Sequence, residues 1–492
     1  SYGNVKKVGV IGGGSAGIQM ARSLAAAGIE AKVFDKYEGP GGLWRENYAG
    51  YGLQASKQLW EFPDYPNTIS PRGTYASGKD VQAYIEGFVN HFGLMKHFIG
   101  NTEVSSIAPR ADGQRGWTFR TKHTKTGAES TEDFDFCVVA TGMYSSENPN
   151  MPELKGREAF EGAGGVVTHS SKFFSEEAAR GKNVVVVGGA KSAIDCVCVS
   201  SEVAKSATML YRTAHWSVPQ NIAGLIPFQY VFASRLGQAL VILFKGTLHG
   251  VNPFLGGLHK IVGAPMRLVF SLVETLFAFQ GKHYGDFRPK HDVVSDAYYG
   301  AHILNGDFNK KRKSGQVKTR KGQIASMSAG ELTLIDGSTL PCDLLVCATG
   351  FGKSYDYMPK ETLSKLGVEE DGLYLYRHML HPKVPDMAFC GSEIATLINN
   401  TTHGVQAEWI TRALMGQMQL PSTEKMEEEM SAHKAWKRSW MLPSVARAPM
   451  VLLHYIHYHQ SLLKDMGEKT ARLGGLSEYL MPYESSAYNG VV

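Results

Sequence analysis

The sequence GGGSAG at residues 12–17 constrains the fold of this chain more than any other feature. It follows the largely apolar run Val5–Ile11 and precedes a stretch of good helix formers, Ile18–Ala27. A second short apolar run, Ala31–Phe34, then ends in Asp35. This order predicts a strand, a tight turn, a helix and a second strand, with the first strand buried on both faces of a parallel sheet.

The first turn has the G-x-G-x-x-G spacing of a dinucleotide-binding site, with an acidic side chain at the end of the next strand. Glycine permits the tight turn, lets the backbone approach a pyrophosphate and allows close helix packing, while the helix N-terminus offers N–H groups to phosphate. The carboxylate would accept hydrogen bonds from ribose hydroxyls, and a glycine-rich turn without a ligand is the weaker alternative. The predicted cofactor-binding residues of this unit are Gly12, Gly14, Ser15, Gly17, Asp35 and Lys36.

A second unit of the same kind begins at the predicted strand Asn183–Val187, followed by GGAKSA at residues 188–193. Alanine replaces two of the glycines, so the motif alone is weak. Its support is Arg212, which follows the next strand where the first unit has an acid. A cation there can pair with a 2′-phosphate and select NADP over NAD, although an ordinary surface arginine is the alternative. The predicted residues of this site are Gly188, Ala190, Lys191, Ser192, Ala193 and Arg212.

Composition and charge exclude several classes of protein. The 492 residues are 43% apolar and carry 51 Lys+Arg against 46 Asp+Glu, without a basic patch that would indicate nucleic acid. The six cysteines form no C-x-x-C, so neither a metal site nor a dithiol centre is predicted. Few cysteines and no signal-peptide pattern favour a cytoplasmic protein. The apolar stretches Leu236–Phe244 and Val262–Phe279 are bounded or interrupted by charges, so no segment of membrane-spanning length is expected.

Several further motifs resemble those of the flavin-containing monooxygenases. They are GGLW at 41–44, LQASKQLWEFPDYP at 53–66, RTAHW at 212–216, ATGF at 348–351 and QAEW at 406–409. The family fingerprint F-x-G-x-x-x-H-x-x-x-[YF] is present as Gly165, His169 and Phe173, but Phe160 lies five residues before Gly165 rather than two. The resemblance covers residues 5 to about 416 and leaves the segment 219–289 and the tail poorly constrained.

The resemblance implies an enzyme that binds FAD at the first turn and NADPH at the second. In the family, a flavin C4a-hydroperoxide passes one oxygen atom of O2 to a soft nucleophile, such as an amine nitrogen or a sulfide sulfur. Gln54 stands where the family has a catalytic asparagine that stabilises this adduct; glutamine keeps the donor amide but is one methylene longer. For His169 we expect a structural role and not a catalytic one. The further cofactor-binding residues implied are Gly42, Leu43, Trp44, Thr141, Gly142, Thr349, Gly350 and Gln406.

The predicted fold class is α/β, with two Rossmann-like dinucleotide-binding domains for FAD and NADP and an inserted, mainly helical subdomain. The predicted domains are 1–165 (FAD-binding, first part), 166–345 (NADP-binding, with an apolar helical insertion at about 219–289), 346–420 (FAD-binding, return segment) and 421–492 (helical tail). The insertion either caps the active site or makes peripheral membrane contact, and a homodimer is left open.

Three other functions stay open at this point. A Baeyer–Villiger monooxygenase, which oxygenates ketones, shares both nucleotide sites, but its fingerprint normally ends in tryptophan where this chain has Phe173. A pyridine nucleotide-disulfide reductase would need a C-x-x-C or its equivalent. A non-enzymatic flavin redox sensor is the competitor from a different class.

Overall fold

The computed structural model describes residues 2, 5–144, 148–246, 253–303 and 306–492. Its first parallel sheet is centred on the strand that precedes the first glycine turn. The five strands in spatial order are Met387–Phe389, Phe136–Val139, Lys7–Ile11, Glu30–Phe34 and Phe98–Ile99. Helix Ser15–Ala26 begins directly after the turn and is buried on all sides over its first half, from Ala16 to Ala21. The predicted strand–turn–helix–strand unit is confirmed.

The second parallel sheet repeats this construction. Its five strands in spatial order are Val317–Lys321, Ser206–Tyr211, Asn183–Val187, Leu344–Cys347 and Val166–His169. The central strand leads through the second glycine turn into helix Lys191–Ser200. The inner strands Phe136–Val139 and Leu344–Cys347 are continuous apolar runs because both of their faces are covered. The α/β fold with two dinucleotide-binding domains is thus confirmed.

Each parallel sheet is accompanied by a three-stranded antiparallel sheet that leads into the strand before Ala-Thr-Gly. The strands of these sheets are Thr102–Pro109, Trp117–His123 and Glu129–Phe134 in the first half and Ile324–Ser328, Glu331–Leu334 and Thr339–Pro341 in the second. No pattern in the sequence predicted these sheets. The remaining helices outside the insertion and tail are Lys57–Trp60, Gly78–His91, Arg157–Gly162, Val293–Ala297, Gly306–Ser314, Lys360–Leu366 and Asn399–Leu414.

The inserted segment is mainly helical, as predicted. A small hairpin of Asn221–Ile222 and Ile226–Pro227 leads into its helices, which are Phe228–Phe232, Arg235–Lys245 and Pro253–Gly281. The part at 247–252 lies outside the described residues. The expectation that no segment reaches membrane-spanning length was wrong: Phe254–Gly281 is long enough and apolar enough, with a mean hydropathy of 1.6. Its internal Pro265 removes one helical hydrogen bond without ending the helix.

The C-terminal tail belongs to the core of the first half. Helix Asn399–Leu414 packs against helix Ser15–Ala26, and the tail helix Tyr455–Asp465 packs against it in turn. The other tail elements are the helices Thr423–Trp440 and Ser477–Leu480 and the strand Met450–Leu452, which pairs with Ala395–Thr396. Tyr455 and Leu462 are fully buried in the same hydrophobic cluster as the first sheet. The tail therefore stabilises the first half instead of extending from it.

Candidate active site

The first glycine turn is too tightly folded to carry a side chain at Gly12 or Gly17. Gly12 has φ +106°, and a Cβ placed on it would lie 2.5 Å from the carbonyl oxygen of Ala140. A Cβ on Gly17 would lie 1.9 Å from the carbonyl oxygen of Gly12. The N–H of Gly12 donates to Phe34 at 2.8 Å, which ties the turn to the neighbouring strand. The backbone is therefore open at the helix N-terminus, as a pyrophosphate requires.

A second glycine pair packs directly against this turn. The N–H of Gly41 donates to the carbonyl of Gly13 at 3.1 Å, and a Cβ on Gly14 would lie 3.8 Å from the Cα of Gly42. The short 3₁₀ helix Gly42–Trp44 follows, so Leu43 and Trp44 are held next to the turn. The Trp44 ring contacts the Trp60 ring edge to face, with centroids 5.5 Å apart. The predicted GGLW residues thus share one cradle with the first turn.

Asp35 is a nearly buried carboxylate at the end of the strand Glu30–Phe34. Its oxygens accept the N–H of Gly13 at 2.6 Å and of Tyr37 at 2.8 Å. Burial raises the pKa of the carboxyl, and these two backbone donors oppose that shift. The ammonium of Lys36 lies 5.4 Å from the centre of the Tyr37 ring. Because an ionised carboxylate has about four acceptor positions, Asp35 can bind ribose hydroxyls while it holds the turn.

The second turn has the same geometry as the first. Gly188 has φ +142°, and a Cβ on it would lie 2.5 Å from the carbonyl oxygen of Ala348, which occupies the place of Ala140. Its N–H donates to Leu210 at 2.9 Å. Ala190 is the N-cap of helix Lys191–Ser200, and Ala193 is fully buried beneath the turn. Alanine at the two altered positions therefore preserves an exposed helix N-terminus.

The two cations predicted for the second site differ in their surroundings. Lys191 forms an ion pair with Asp195, a buried carboxylate that also accepts the hydroxyl of Tyr48 at 3.1 Å. Arg212 is exposed just beyond the strand Ser206–Tyr211, and among the described residues no carboxylate forms an ion pair with it. Of these two side chains, Arg212 is thus the better placed to meet an external phosphate. Ser192 follows Lys191 in the first turn of the helix Lys191–Ser200.

The two Ala-Thr-Gly segments lie where the chain leaves each parallel sheet. Gly142 and Gly350 adopt φ +70° and +80°, which favours glycine, and Thr141 is exposed. Thr349 donates its hydroxyl to the carbonyl of Asn150. Nε2 of His169 lies 3.0 Å from the carbonyl oxygen of Gly350, and its Nδ1 accepts the N–H of Ser171 at 3.1 Å. Both ring nitrogens of His169 are therefore hydrogen-bonded, and the side chain connects its own strand to the segment at Gly350, in agreement with a structural role.

The two predicted glutamines are placed differently. Gln54 is exposed, and its Oε1 accepts the N–H of Ile303 at 3.2 Å, a contact between the first half and the chain beyond the insertion. Gln406 is fully buried: it accepts the N–H of Gly391 at 2.9 Å and donates to the hydroxyl of Tyr458 at 2.7 Å. Gln406 therefore connects the segment after the strand Met387–Phe389 to the tail helix Tyr455–Asp465.

Two polar contacts at the turns were not predicted. The Ser15 hydroxyl lies 3.1 Å from Nδ1 of His403. Burial lowers the pKa of His403 to about 4. At the second turn, Nδ1 of His215 lies 2.8 Å from Oδ1 of Asp296. The motif RTAHW at residues 212–216 contains His215, but it gives no indication of the partner Asp296. Both partners are distant in sequence, and no local pattern links them to the turns.

The chain matches a protein family along most of its length. The family described as flavin-binding monooxygenase-like covers residues 5–250 and 267–474. A probable flavin-containing monooxygenase 1 of Arabidopsis thaliana is 27% identical, over 98% of this chain and 96% of its own length. The match supports an enzyme over a non-enzymatic flavin sensor.

Solved structures with the same fold include two oxygenases. Cyclohexanone monooxygenase from Rhodococcus sp. Phi1 bound to NADP+ has a TM-score of 0.66 at 19% identity, over 94% of this chain and 97% of that one. S-allyl-L-cysteine S-oxygenase from Allium sativum has a TM-score of 0.61 at 18% identity, over 94% and 89%. The glycine cradles described above fit two dinucleotides. The chain belongs to the flavin-binding monooxygenase-like family and is an FAD-dependent monooxygenase that uses NADPH, O2 and a small-molecule substrate.

Proposed function

We propose that the enzyme inserts one oxygen atom of O2 into a soft nucleophile, the nitrogen of an amine or the sulfur of a sulfide. The observation that carries the proposal is the pair of matched turns, one with an acid and the other with an exposed arginine at the ribose position. Their two halves are in direct contact: the N–H of Ala49 donates to the carbonyl of Phe173 at 2.7 Å, and Tyr48 bonds Asp195. Two cofactors bound at these turns would share one cleft.

The first turn is assigned to FAD and the second to NADPH. When FAD is bound, its ring system supplies the group that accepts hydride from NADPH and activates O2. Asp35 would bind the adenosine ribose of FAD, and Arg212 would pair with the 2′-phosphate of NADPH. The backbone donors of the two helix N-termini would bind the pyrophosphates, and the GGLW segment and the two Ala-Thr-Gly segments would border the cofactors. The proposed domain division is the one given by the sequence.

Gln54 is assigned the role of an amide that protects the oxygen-reactive part of the site. Its Oε1 is occupied by the N–H of Ile303, so the side-chain carbonyl is fixed and the NH2 group keeps its donor capacity. A donor held in advance stabilises developing negative charge without reorganisation. The contact also joins the first half to the chain beyond the insertion.

Two features favour amine or sulfide over ketone oxygenation. The fingerprint ends in Phe173, which is 2% exposed and packs in the core of the second half, where the ketone-oxygenating type normally has tryptophan. Among proteins of similar fold, the enzyme from Allium sativum is named for S-oxygenation. The structural likeness to cyclohexanone monooxygenase keeps ketones in the test as the second candidate.

A substrate panel tests the proposal directly. The FAD-loaded enzyme is given NADPH with a tertiary amine, a thioether or a cyclic ketone, and product is measured beside NADPH consumption. We expect an N-oxide or a sulfoxide in proportion to the NADPH oxidised, and little lactone. A lactone as the main product would replace the proposal by Baeyer–Villiger oxygenation. NADPH oxidation without oxygenated product from any substrate would contradict both.

We further propose that the insertion contacts an anionic membrane surface peripherally. The helix Pro253–Gly281 exposes a row of large apolar side chains, which are Phe254, Ile261, Leu268, Leu272 and Phe279. In the same insertion, Lys245, Arg267 and Lys290 line a cavity of about 620 Å³ together with Asp292. Lys245 forms an ion pair with Asp292, and Arg267 forms one with Glu274. Apolar side chains beside basic ones are the pattern of helices that lie in a membrane interface.

Flotation with liposomes distinguishes this contact from a cap or a homodimer. Wild-type protein should float with vesicles that contain phosphatidylserine, and the double variant Leu268→Asp/Leu272→Asp should stay in the soluble fraction. Light scattering of both proteins without lipid gives the control. A dimer that the double substitution dissociates would assign the apolar row to a second copy of the chain, and a wild-type protein that never floats would overturn the membrane contact.

A further inference from the structure

His215 lies between the second glycine turn and a buried carboxylate from the chain beyond the insertion. Its Nδ1 is 2.8 Å from Oδ1 of Asp296, and Oδ2 of the same carboxylate accepts the N–H of Trp216 at 2.6 Å. The Asp296 side chain is fully buried, whereas 11% of the His215 side chain is exposed. A buried carboxylate that accepts two hydrogen bonds is held in place, so the proton on Nδ1 and the orientation of the ring are fixed with it.

Asp296 is itself rigidly supported. It lies in the short helix Val293–Ala297, whose N-cap side chain, Asp292, accepts the N–H of Ser295 at 2.9 Å. The carbonyl of Asp296 accepts three backbone donors at 2.8–2.9 Å, from residues 299–301. The strand His302–Ile303 follows directly and pairs in parallel with Ser217–Val218. The carboxylate is therefore fixed relative to the segment that carries His215.

The other edge of the imidazole faces the glycine turn. A Cβ placed on Gly189 would lie 3.3 Å from Cδ2 of His215, the ring carbon bonded to Nε2. On its other side the ring packs against Gly300, where a Cβ would lie 2.4 Å from Cε1 and 2.8 Å from Nε2. The Tyr299 ring is the aromatic neighbour, with centroids 5.5 Å apart. Cδ2 thus lies beside the turn that leads into helix Lys191–Ser200, and Nε2, the ring atom bonded to it, lies near Gly300.

We propose that Asp296 is a positioning residue, which holds His215 so that Nε2 binds the pyrophosphate of the nicotinamide dinucleotide. The inference rests on the proposed NADPH site at the second turn. The N-terminus of helix Lys191–Ser200 offers backbone donors to phosphate. An imidazolium between a carboxylate and a phosphate donates one N–H to each, and such charge-assisted hydrogen bonds are stronger than neutral ones.

This assignment separates the role of His215 from that of Arg212. The pyrophosphate is common to NADP+ and NAD+, whereas the 2′-phosphate is present only in NADP+. His215 lies against the turn, and Arg212 lies exposed beyond the following strand. Loss of the His215 contact should therefore weaken both dinucleotides equally, and loss of Arg212 should weaken NADP+ alone.

Calorimetric titration of the FAD-loaded enzyme with NADP+ and with NAD+ tests the proposal without turnover. In His215→Asn the amide nitrogen lies near the former Nδ1 and can still donate to Asp296, but nothing replaces Nε2. We expect both dissociation constants to rise by about tenfold, the size expected for one charge-assisted hydrogen bond. In His215→Gln the amide nitrogen reaches the Nε2 position, and part of the affinity should return. Arg212→Ala is the control that raises only the constant for NADP+.

Asp296→Asn tests the positioning role by comparison with His215→Asn. If Asp296 acts through the imidazole, Asp296→Asn weakens both dinucleotides in the wild-type background and adds less than about twofold in the His215→Asn background. Equal additional losses in the two backgrounds would overturn the positioning role. Should Asp296→Asn fail to fold, the two His215 variants decide the assignment, because neither removes the Trp216 contact.

Three results would overturn the assignment of His215. A loss confined to NADP+ would move the contact to the 2′-phosphate, and unchanged constants would leave His215 with a structural role only. An equal loss in His215→Asn and His215→Gln would show that Nε2 is not the contact. A wild-type enzyme that binds neither dinucleotide would refute the proposed NADPH site itself, which is a different outcome from a wild type that binds and variants that bind equally well.

Discussion

At the scale of single residues, similar side chains near the cleft have different roles because of their partners. Lys191 and Arg212 were both predicted at the second phosphate site, but Lys191 is paired with the buried Asp195. Gln54 is exposed beside the cleft, whereas both amide ends of Gln406 are bonded inside the core. A sequence motif specifies which residue types are present, and long-range partners decide which of them are available to a cofactor.

Gln54 provides the sharpest test at this scale. Gln54→Ala should retain FAD but release more hydrogen peroxide per NADPH consumed, because the donor that protects the reactive site is lost. Gln54→Glu is the matched control: its carboxylate can still accept from Ile303 but offers no amide donor. We expect both variants to lower the ratio of product to NADPH, by about tenfold or more if the amide stabilises charge as other such donors do. A wild-type ratio of product to NADPH in Gln54→Glu would contradict the role of the amide and leave Gln54 only the hydrogen bond to Ile303.

At the scale of elements, the strand–turn–helix units could be predicted because their signals are local. The strand Asn183–Val187 has the predicted bounds, since a continuous apolar run beside glycine is distinctive. The antiparallel sheets were missed, and so was the way the tail packs. These elements are determined by pairing between distant segments, for which the sequence has no local pattern.

The packing of the first turn against its helix depends on Gly17. In Gly17→Ala a methyl group would meet the carbonyl oxygen of Gly12, at 1.9 Å before relaxation. We expect a loss of about 1–3 kcal/mol in the free energy of unfolding, together with loss of FAD. Gly257→Ala is the control, because it lies within a helix and a Cβ there meets nothing within 4 Å. The two variants are compared by thermal unfolding and by the flavin absorbance of the purified protein. Equal behaviour of the two proteins would contradict the described turn.

At the scale of the whole molecule, several histidines are buried in the tail and in the helix Asn399–Leu414 on which it packs. Burial lowers the pKa of His403, His454, His457 and His459 to about 4, 3, 4 and 3, from an ordinary value of 6.5. Below pH 6.5 the unfolded chain binds more protons than the folded one, so stability is full above this pH and falls as the pH decreases toward 4. Each such group costs about 1.4 kcal/mol per pH unit in that window.

We therefore expect the unfolding temperature to fall between pH 7 and pH 5, with the tail separating first. His459→Gln can keep the hydrogen bond to Thr402, which Nε2 makes at 2.8 Å, but cannot titrate. This variant should show a shallower dependence on pH than wild type. Thermal melts followed by circular dichroism and by tryptophan fluorescence measure both quantities. A midpoint that does not change between pH 7 and pH 5 would contradict the assignment of neutral buried histidines.

The central claim is that two cofactors meet at one cleft and deliver one oxygen atom of O2 to a soft nucleophile. Turnover under ¹⁸O2, with NADPH and a thioether or a tertiary amine, tests it most directly by mass spectrometry of the product. The account predicts one ¹⁸O atom in each product molecule and one NADPH consumed for each, with no label transferred from H2¹⁸O. Product oxygen that comes from water, or NADPH oxidation that yields only hydrogen peroxide with every substrate, would contradict it.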